Sequence, residues 1–123
     1  MGAFAKFSLP GILFLLTLAF GLWLSRIGKP YNGLLFNVHK LIALSAVVLL
    51  VIQLAKKLQA TASLAPIIAL LVLAAICIVA LFASGALMSA GKLDYALLLT
   101  IHRIAPGVLA ISLASVVYLL GRQ

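Results

Sequence analysis

Four long apolar stretches, separated by short polar links, constrain this chain more than any other feature of its sequence. The stretches cover residues 9–25, 34–55, 65–90 and 95–120. Each is close to the ~20 residues that an α-helix needs to cross the ~30 Å hydrocarbon layer of a bilayer. They are too long for the strands of a membrane barrel and lack strand periodicity. The sequence therefore predicts an all-α membrane protein with four transmembrane helices.

The composition excludes a soluble protein, because 67% of the residues are hydrophobic and only 8% are charged. A soluble domain carries about 25% charged residues, which it needs to cover its surface. A chain of 123 residues is one domain by length, so we expect a single transmembrane domain over residues 1–123. Since the links are short, neighbouring helices must be antiparallel, and the expected architecture is an up-down four-helix bundle.

The first apolar stretch follows a lysine and so has the outline of a signal peptide. No small-x-small cleavage site follows it, which favours a retained first helix. Ser8 and Pro10 mark the expected beginning of this helix, with the proline in the first turn where its missing N–H does no harm. The single cysteine, Cys77, excludes an internal disulfide and is typical of a small apolar packing residue.

The sequence of the first half resembles that of the second half, over residues 8–57 and 65–122. Residues 21–25 align with 85–89, and after a one-residue gap Gly28 aligns with Gly91. In the same register His39-Lys40 aligns with His102-Arg103. The pattern predicts two helical hairpins of the same orientation, related by an approximate two-fold axis along the membrane normal. The alternative is chance, because apolar helices align easily on leucine.

The only two histidines, His39 and His102, fall on helices two and four at similar depth near one membrane face. Ionisable residues within a membrane are rare and usually functional. A neutral imidazole offers one lone-pair nitrogen to a metal while its other N–H is held by an acceptor. Two imidazoles facing each other across a bundle suit the axial positions of haem iron, so both are predicted iron ligands. Small residues would form the slot for the porphyrin: Gly21, Ala43, Gly85, Ala105 and Pro106.

Basic residues at the same face are candidate partners for the haem propionates. They are Arg26, Lys29, Lys40, Lys92 and Arg103. For any one of them, anchoring at the membrane interface is the alternative role. For the histidines, the alternative is hydrogen bonding between helices. A copper or zinc site would need further ligands at that depth, where Met88 is the one soft candidate and Cys77 lies too deep.

In plan the chain resembles transmembrane b-type cytochromes of the cytochrome b561-like kind. The resemblance rests on His39-Lys40 and His102-Arg103 in a bundle of repeated hairpins. It implies one-electron transfer through a bis-histidine haem b, with quinol, ascorbate or another cytochrome as partner. Many such proteins carry a second histidine pair toward the opposite face, which this sequence lacks. We therefore expect one haem near one face, and the sequence leaves open whether the chain is itself an enzyme.

Other functions remain as alternatives to an electron carrier. A cofactor-free structural or assembly subunit would not need the histidines, whereas haem sensing or handling would share the same pocket. Small multidrug transporters also have four helices, but they use a membrane-embedded carboxylate. Here the one acidic residue, Asp94, falls in a turn.

The net charge of +8 does not indicate nucleic-acid binding, because the basic residues flank apolar stretches instead of forming one patch. Lipid is the expected partner of these residues. We expect the protein in the inner (cytoplasmic) membrane of a bacterium or archaeon. If Lys40 and Arg103 serve the haem, counting of the remaining positive residues favours cytoplasmic termini, on the face that carries Lys6, Lys56, Lys57 and Arg122, and places the haem near the outer face. So small a chain with little polar surface is typical of a subunit in a larger membrane complex.

Overall fold

Four long helices make up nearly all of the chain. The computed structural model describes residues 2–28, 30, 32–59, 65–91 and 93–122, without the side chains of residues 3 and 4, and these residues contain no strand. The helices are α1 (Ala3–Ile27), α2 (Gly33–Leu58), α3 (Ala65–Ala90) and α4 (Tyr95–Gly121). At 1.5 Å per residue each is roughly 40 Å long, which exceeds the hydrocarbon layer. All four are also apolar enough to cross a membrane. The chain is an all-α integral membrane protein.

The prediction that the first helix begins beside Pro10 is wrong. The helix begins at Ala3, and Pro10 lies buried in its interior. Proline removes one N–H and crowds the preceding turn, but it leaves every other backbone group in need of a partner. In apolar surroundings a helix is the simplest way to satisfy those groups, so membrane helices tolerate proline. The Ser8 hydroxyl adds a 2.8 Å hydrogen bond to the Ala5 carbonyl in this first part of α1.

Helices α1 and α3 each end at a glycine, and the sequence alignment had paired these two glycines. Gly28 has a φ of 75° and Gly91 a φ of 68°. This left-handed region strains any residue with a Cβ, and glycine enters it freely. The Gly28 amide donates to the Leu24 carbonyl, and the Gly91 amide donates to the Met88 carbonyl. The first helix of each half therefore ends at a glycine with positive φ, although Gly28 bonds four residues back and Gly91 three.

Polar side chains cap the second helix of each half. The Asn32 side chain accepts hydrogen bonds from the amides of Leu34 and Leu35, and the Asp94 carboxylate accepts one from the Ala96 amide. These amides belong to the first turn, where the helix itself provides no acceptor. The sole acidic residue of the chain thus has a local structural role at the beginning of α4.

The chain divides into two compact units, residues 1–61 and 62–123. In the first unit α1 packs on α2, and in the second α3 packs on α4. Each unit is an antiparallel helical hairpin, and the boundary lies in the link between the two predicted repeats. We call the units the first and the second hairpin.

A regular seam closes the second hairpin. The residues buried on α3 are Ile67, Ala74, Cys77 and Ser84, and those on α4 are Leu98, Ala105, Leu109, Ser112, Val116 and Leu120. Their spacings of three, four and seven are those of a coiled-coil interface. Many of them are small, as is common where helices approach closely in lipid. Cys77 is one of these buried packing residues and is not in a disulfide.

Large apolar side chains cover the outer surfaces of both hairpins. Leu15, Leu41, Val79 and Ile111 are each more than 60% exposed. Water would make this surface costly, whereas lipid tails accept it. Basic residues lie at helix ends, with Arg26 in the last turn of α1 and Lys56 and Lys57 in that of α2. Contact with the lipid bilayer follows from this distribution.

Candidate functional site

His39 connects the two helices of the first hairpin. It lies in the second turn of α2 and is half-buried. Its Nδ1 atom is 2.9 Å from the main-chain carbonyl oxygen of Thr17 on α1. A carbonyl oxygen only accepts, so Nδ1 must carry the proton in this hydrogen bond. In the neutral ring, the lone pair that could bind a metal is therefore on Nε2.

His102 connects the helices of the second hairpin through a serine. Its Nδ1 atom is 2.9 Å from Oγ of Ser84, a residue of α3. The same Oγ donates its proton to the Leu81 carbonyl at 3.2 Å. A hydroxyl has one proton, so both contacts are hydrogen bonds only when Ser84 accepts from Nδ1–H of His102. In that arrangement both histidines have the same tautomer, with the lone pair on Nε2.

A glycine of the neighbouring helix leaves room for each imidazole. A Cβ on Gly21 would lie 3.0 Å from Cε1 of His39, and one on Gly85 would lie 3.3 Å from Cε1 of His102. Contacts this short are closer than ordinary van der Waals packing, so any larger residue would press on the ring. The sequence predicted Gly21 and Gly85 only to lie near the same face as the histidines, as walls of a porphyrin slot; in the structure an imidazole lies against each of them.

The two arrangements use equivalent positions of the repeat. In the register that pairs Gly21 with Gly85, Thr17 aligns with Leu81. Each of these carbonyls lies one turn before the glycine. His39 reaches its carbonyl directly, whereas His102 reaches the equivalent carbonyl through the Ser84 hydroxyl. The position of Ser84 is taken by Phe20 in the first hairpin.

Of the five predicted propionate partners, the structure describes three. Arg26, Lys40 and Arg103 are exposed on their helices. The Lys40 amine lies over the ring of Phe36, 4.3 Å from its centroid and one turn nearer the beginning of α2. This is the direction in which a lysine reaches for the membrane interface. Lys29 and Lys92, the other two, lie outside the described residues.

The small residues predicted to lie near the ligands differ in their surroundings. Ala43, one turn after His39, is half-buried, whereas Ala105 is buried in the seam of the second hairpin. Pro106 lies inside α4 and has no N–H to donate to the carbonyl of His102, one turn before it. A porphyrin slot lined by these residues stays a prediction.

No group of three or more His, Cys, Asp or Glu residues that could hold a metal ion occurs in the part of the chain that the structure describes. The two histidines of the described residues lie on different hairpins, His39 on the first and His102 on the second.

Sequence reasoning missed the hydrogen-bond partners of both histidines. Ser84 had a signal, since it is a polar residue within an apolar stretch and directly precedes the glycine that contacts His102. Thr17 had none, because it contributes its main-chain carbonyl, which every residue has.

Comparison with known proteins does not assign the site a role. No protein-family model, no curated protein and no solved structure matches this chain.

Proposed function

We propose that the protein is a membrane-bound b-type cytochrome that carries one haem b, with His39 and His102 as iron ligands. The observation that carries the proposal is the shared position of the two imidazoles. In each hairpin Nδ1 lies 2.9 Å from an oxygen of the neighbouring helix, and donation of Nδ1–H to that oxygen leaves the lone pair on Nε2. Histidines that bind metals usually donate their other ring N–H in this way.

Two further features support this donor set. The glycine beside each ring lets the imidazole lie against the neighbouring helix. Both histidines lie on helices apolar enough to cross a membrane, where ionisable residues are rare and usually functional. Ligands that are already oriented lose little freedom on binding a metal.

Haem iron with two histidine ligands supplies reversible one-electron transfer and has no further position open to a substrate. The protein then acts as a redox carrier, and quinol or a partner protein supplies and removes the electron. Arg26, Lys40 and Arg103, together with Lys29 and Lys92, are the cations proposed to hold the propionates. The working location is the inner membrane of a bacterium or archaeon, with cytoplasmic termini, as a subunit or partner of a larger redox complex.

A cofactor-free structural subunit is the second candidate, and the same hydrogen bonds favour it. The bonds from His39 to Thr17 and from His102 to Ser84 each connect two helices of one hairpin. Hydrogen bonds between membrane helices stabilise the folded state by about 0.6 kcal/mol on average. On this reading the histidines hold each hairpin closed and bind nothing else.

Visible spectroscopy separates the two candidates. The full chain is produced with ample haem, purified in detergent and reduced, alongside the double variant His39→Ala, His102→Ala. The control is Asn37→Ala, Thr100→Ala, since these exposed polar residues lie two positions before each histidine. We expect the sharp reduced bands of six-coordinate haem b in the wild type and control, and their loss in the histidine variant. A colourless wild type, or a histidine variant with unchanged bands, would overturn the proposal.

A further inference from the structure

The two imidazoles are held by groups of different kinds. The acceptor for His39 is a main-chain carbonyl, whose position is fixed by α1 itself. The acceptor for His102 is the Ser84 hydroxyl, a side-chain group that is only 3% exposed and has its own hydrogen bond to Leu81. Substitution cannot remove the first acceptor, but it can remove the second.

We infer that Ser84 is a positioning residue that fixes the tautomer and orientation of His102 and thereby tunes the iron through one ligand only. By accepting from Nδ1–H, the hydroxyl keeps the lone pair on Nε2 and makes that nitrogen a stronger electron donor. The statement about the tautomer stands on the hydrogen bonds alone. The statement about the iron rests on the proposed function.

One arrangement of protons makes both contacts hydrogen bonds. If Ser84 donated to His102 instead, its oxygen and the Leu81 carbonyl oxygen would lie 3.2 Å apart with no proton between them, and one hydrogen bond would be lost. We take the arrangement with both bonds, in which one proton lies between Ser84 and Leu81 and another between His102 and Ser84. Because the serine proton is donated to the Leu81 carbonyl, the serine oxygen is left to accept a proton from the imidazole.

Removal of the hydroxyl leaves Nδ1–H without the acceptor that α3 provides. In apolar surroundings a buried donor without an acceptor costs about 1 to 3 kcal/mol. The imidazole avoids this cost by moving the proton to Nε2 or by rotating in its place beside Gly85. After either change, the ring no longer has a lone pair that points in the direction it has in the wild type.

The matched control is Ser112 on α4. Like Ser84 it is a buried serine of the second hairpin, 2% exposed, and its hydroxyl donates to a carbonyl one turn before it, that of Val108. Ser84→Ala and Ser112→Ala therefore remove the same group from the same seam. Only the first removes a hydrogen bond to a histidine.

The test begins on the full-length protein without haem, labelled with ¹⁵N in its histidines, in detergent micelles. The ¹⁵N chemical shifts report which ring nitrogen carries the proton. We expect Ser84→Ala to move His102 from the Nδ1–H form towards the Nε2–H form, while His39 keeps its shifts. Ser112→Ala should leave both rings as in the wild type. An unchanged His102 tautomer in folded Ser84→Ala would overturn the inference.

The second stage adds haem and measures binding and the midpoint potential. For Ser84→Ala we expect about 10- to 100-fold weaker haem binding, the usual effect of losing such a partner. We also expect a more positive potential, because a weaker donor stabilises the ferric ion less. If the tautomer changes but wild-type protein binds no haem, the proposed function fails and the role of Ser84 towards His102 stands. Wild-type affinity and potential in Ser84→Ala would overturn the inference about the iron alone.

Discussion

The two hairpins place an imidazole beside a glycine in the same way, but they secure it differently. In the first, His39 bonds to a carbonyl that α1 offers whatever its sequence. In the second, the equivalent carbonyl is that of Leu81. The Ser84 hydroxyl bonds to this carbonyl, and His102 bonds to the hydroxyl. Two copies of a repeat can thus hold a histidine in the same place, while in one copy the histidine's hydrogen bond depends on a single side chain.

A second difference lies one turn after each histidine. The first hairpin has Ala43 there, a residue that continues the helix without strain. The second has Pro106, which removes the hydrogen bond that would otherwise run from residue 106 to the carbonyl of His102. Both differences concern the groups around His102: the oxygen beside its Nδ1 belongs to a side chain, and its own carbonyl has no N–H partner at residue 106.

The largest test of this contrast exchanges the two residues. Ala43→Pro should lower the free energy of unfolding by about 3 kcal/mol, because it deletes a helix hydrogen bond and forces residue 42 away from helical angles. Pro106→Ala should raise it by less, since α4 has already adjusted to the proline. Both values follow from unfolding of the full chain in mixed detergent micelles, monitored by circular dichroism. Equal stability of Ala43→Pro and the wild type would show that the hairpins do not differ at this turn.

The four spans could be predicted from sequence because length and apolar composition determine them almost alone. Residues 65–90 coincide with α3, and α4 differs from its predicted stretch by one residue. The beginning of α1 could not be predicted in this way. Pro10 is a good signal for a first turn in water, yet in apolar surroundings the backbone continues as a helix to Ala3.

The candidate site divides along the same line. Gly21 and Gly85 could be placed near the same face as the histidines from the repeat, and the structure adds that each contacts an imidazole. The partners of Nδ1 could not, because a hydrogen bond depends on rotations of a fraction of a turn that no sequence spacing specifies. Thr17 in particular acts through an atom common to all residues.

A smaller test compares the two glycines. Gly21→Ala should lower stability by about 1 kcal/mol, because overpacking by one methyl group outweighs the better helix propensity of alanine. Gly85→Ala should be close to neutral, since its Cβ would lie 3.3 Å from the imidazole instead of 3.0 Å. The control is Gly11→Ala on α1, whose Cβ would meet nothing within 4 Å and which should be slightly stabilised. Unfolding midpoints of the three variants check the order, and a more stable Gly21→Ala would mean that His39 does not lie against α1.

The smallest expected effect belongs to Thr17→Ala, and it bears most directly on the contrast between the hairpins. The variant removes a hydroxyl that donates to the Leu13 carbonyl, but it keeps the main-chain carbonyl that accepts from His39. We therefore expect the ¹⁵N shifts of His39 and the stability to remain within error of the wild type, whereas Ser84→Ala changes the shifts of His102. The same labelled samples serve for both measurements. A tautomer change at His39 as large as that at His102 would mean that a side-chain hydroxyl supports each ring, and the two hairpins would then be alike where we hold them to be different.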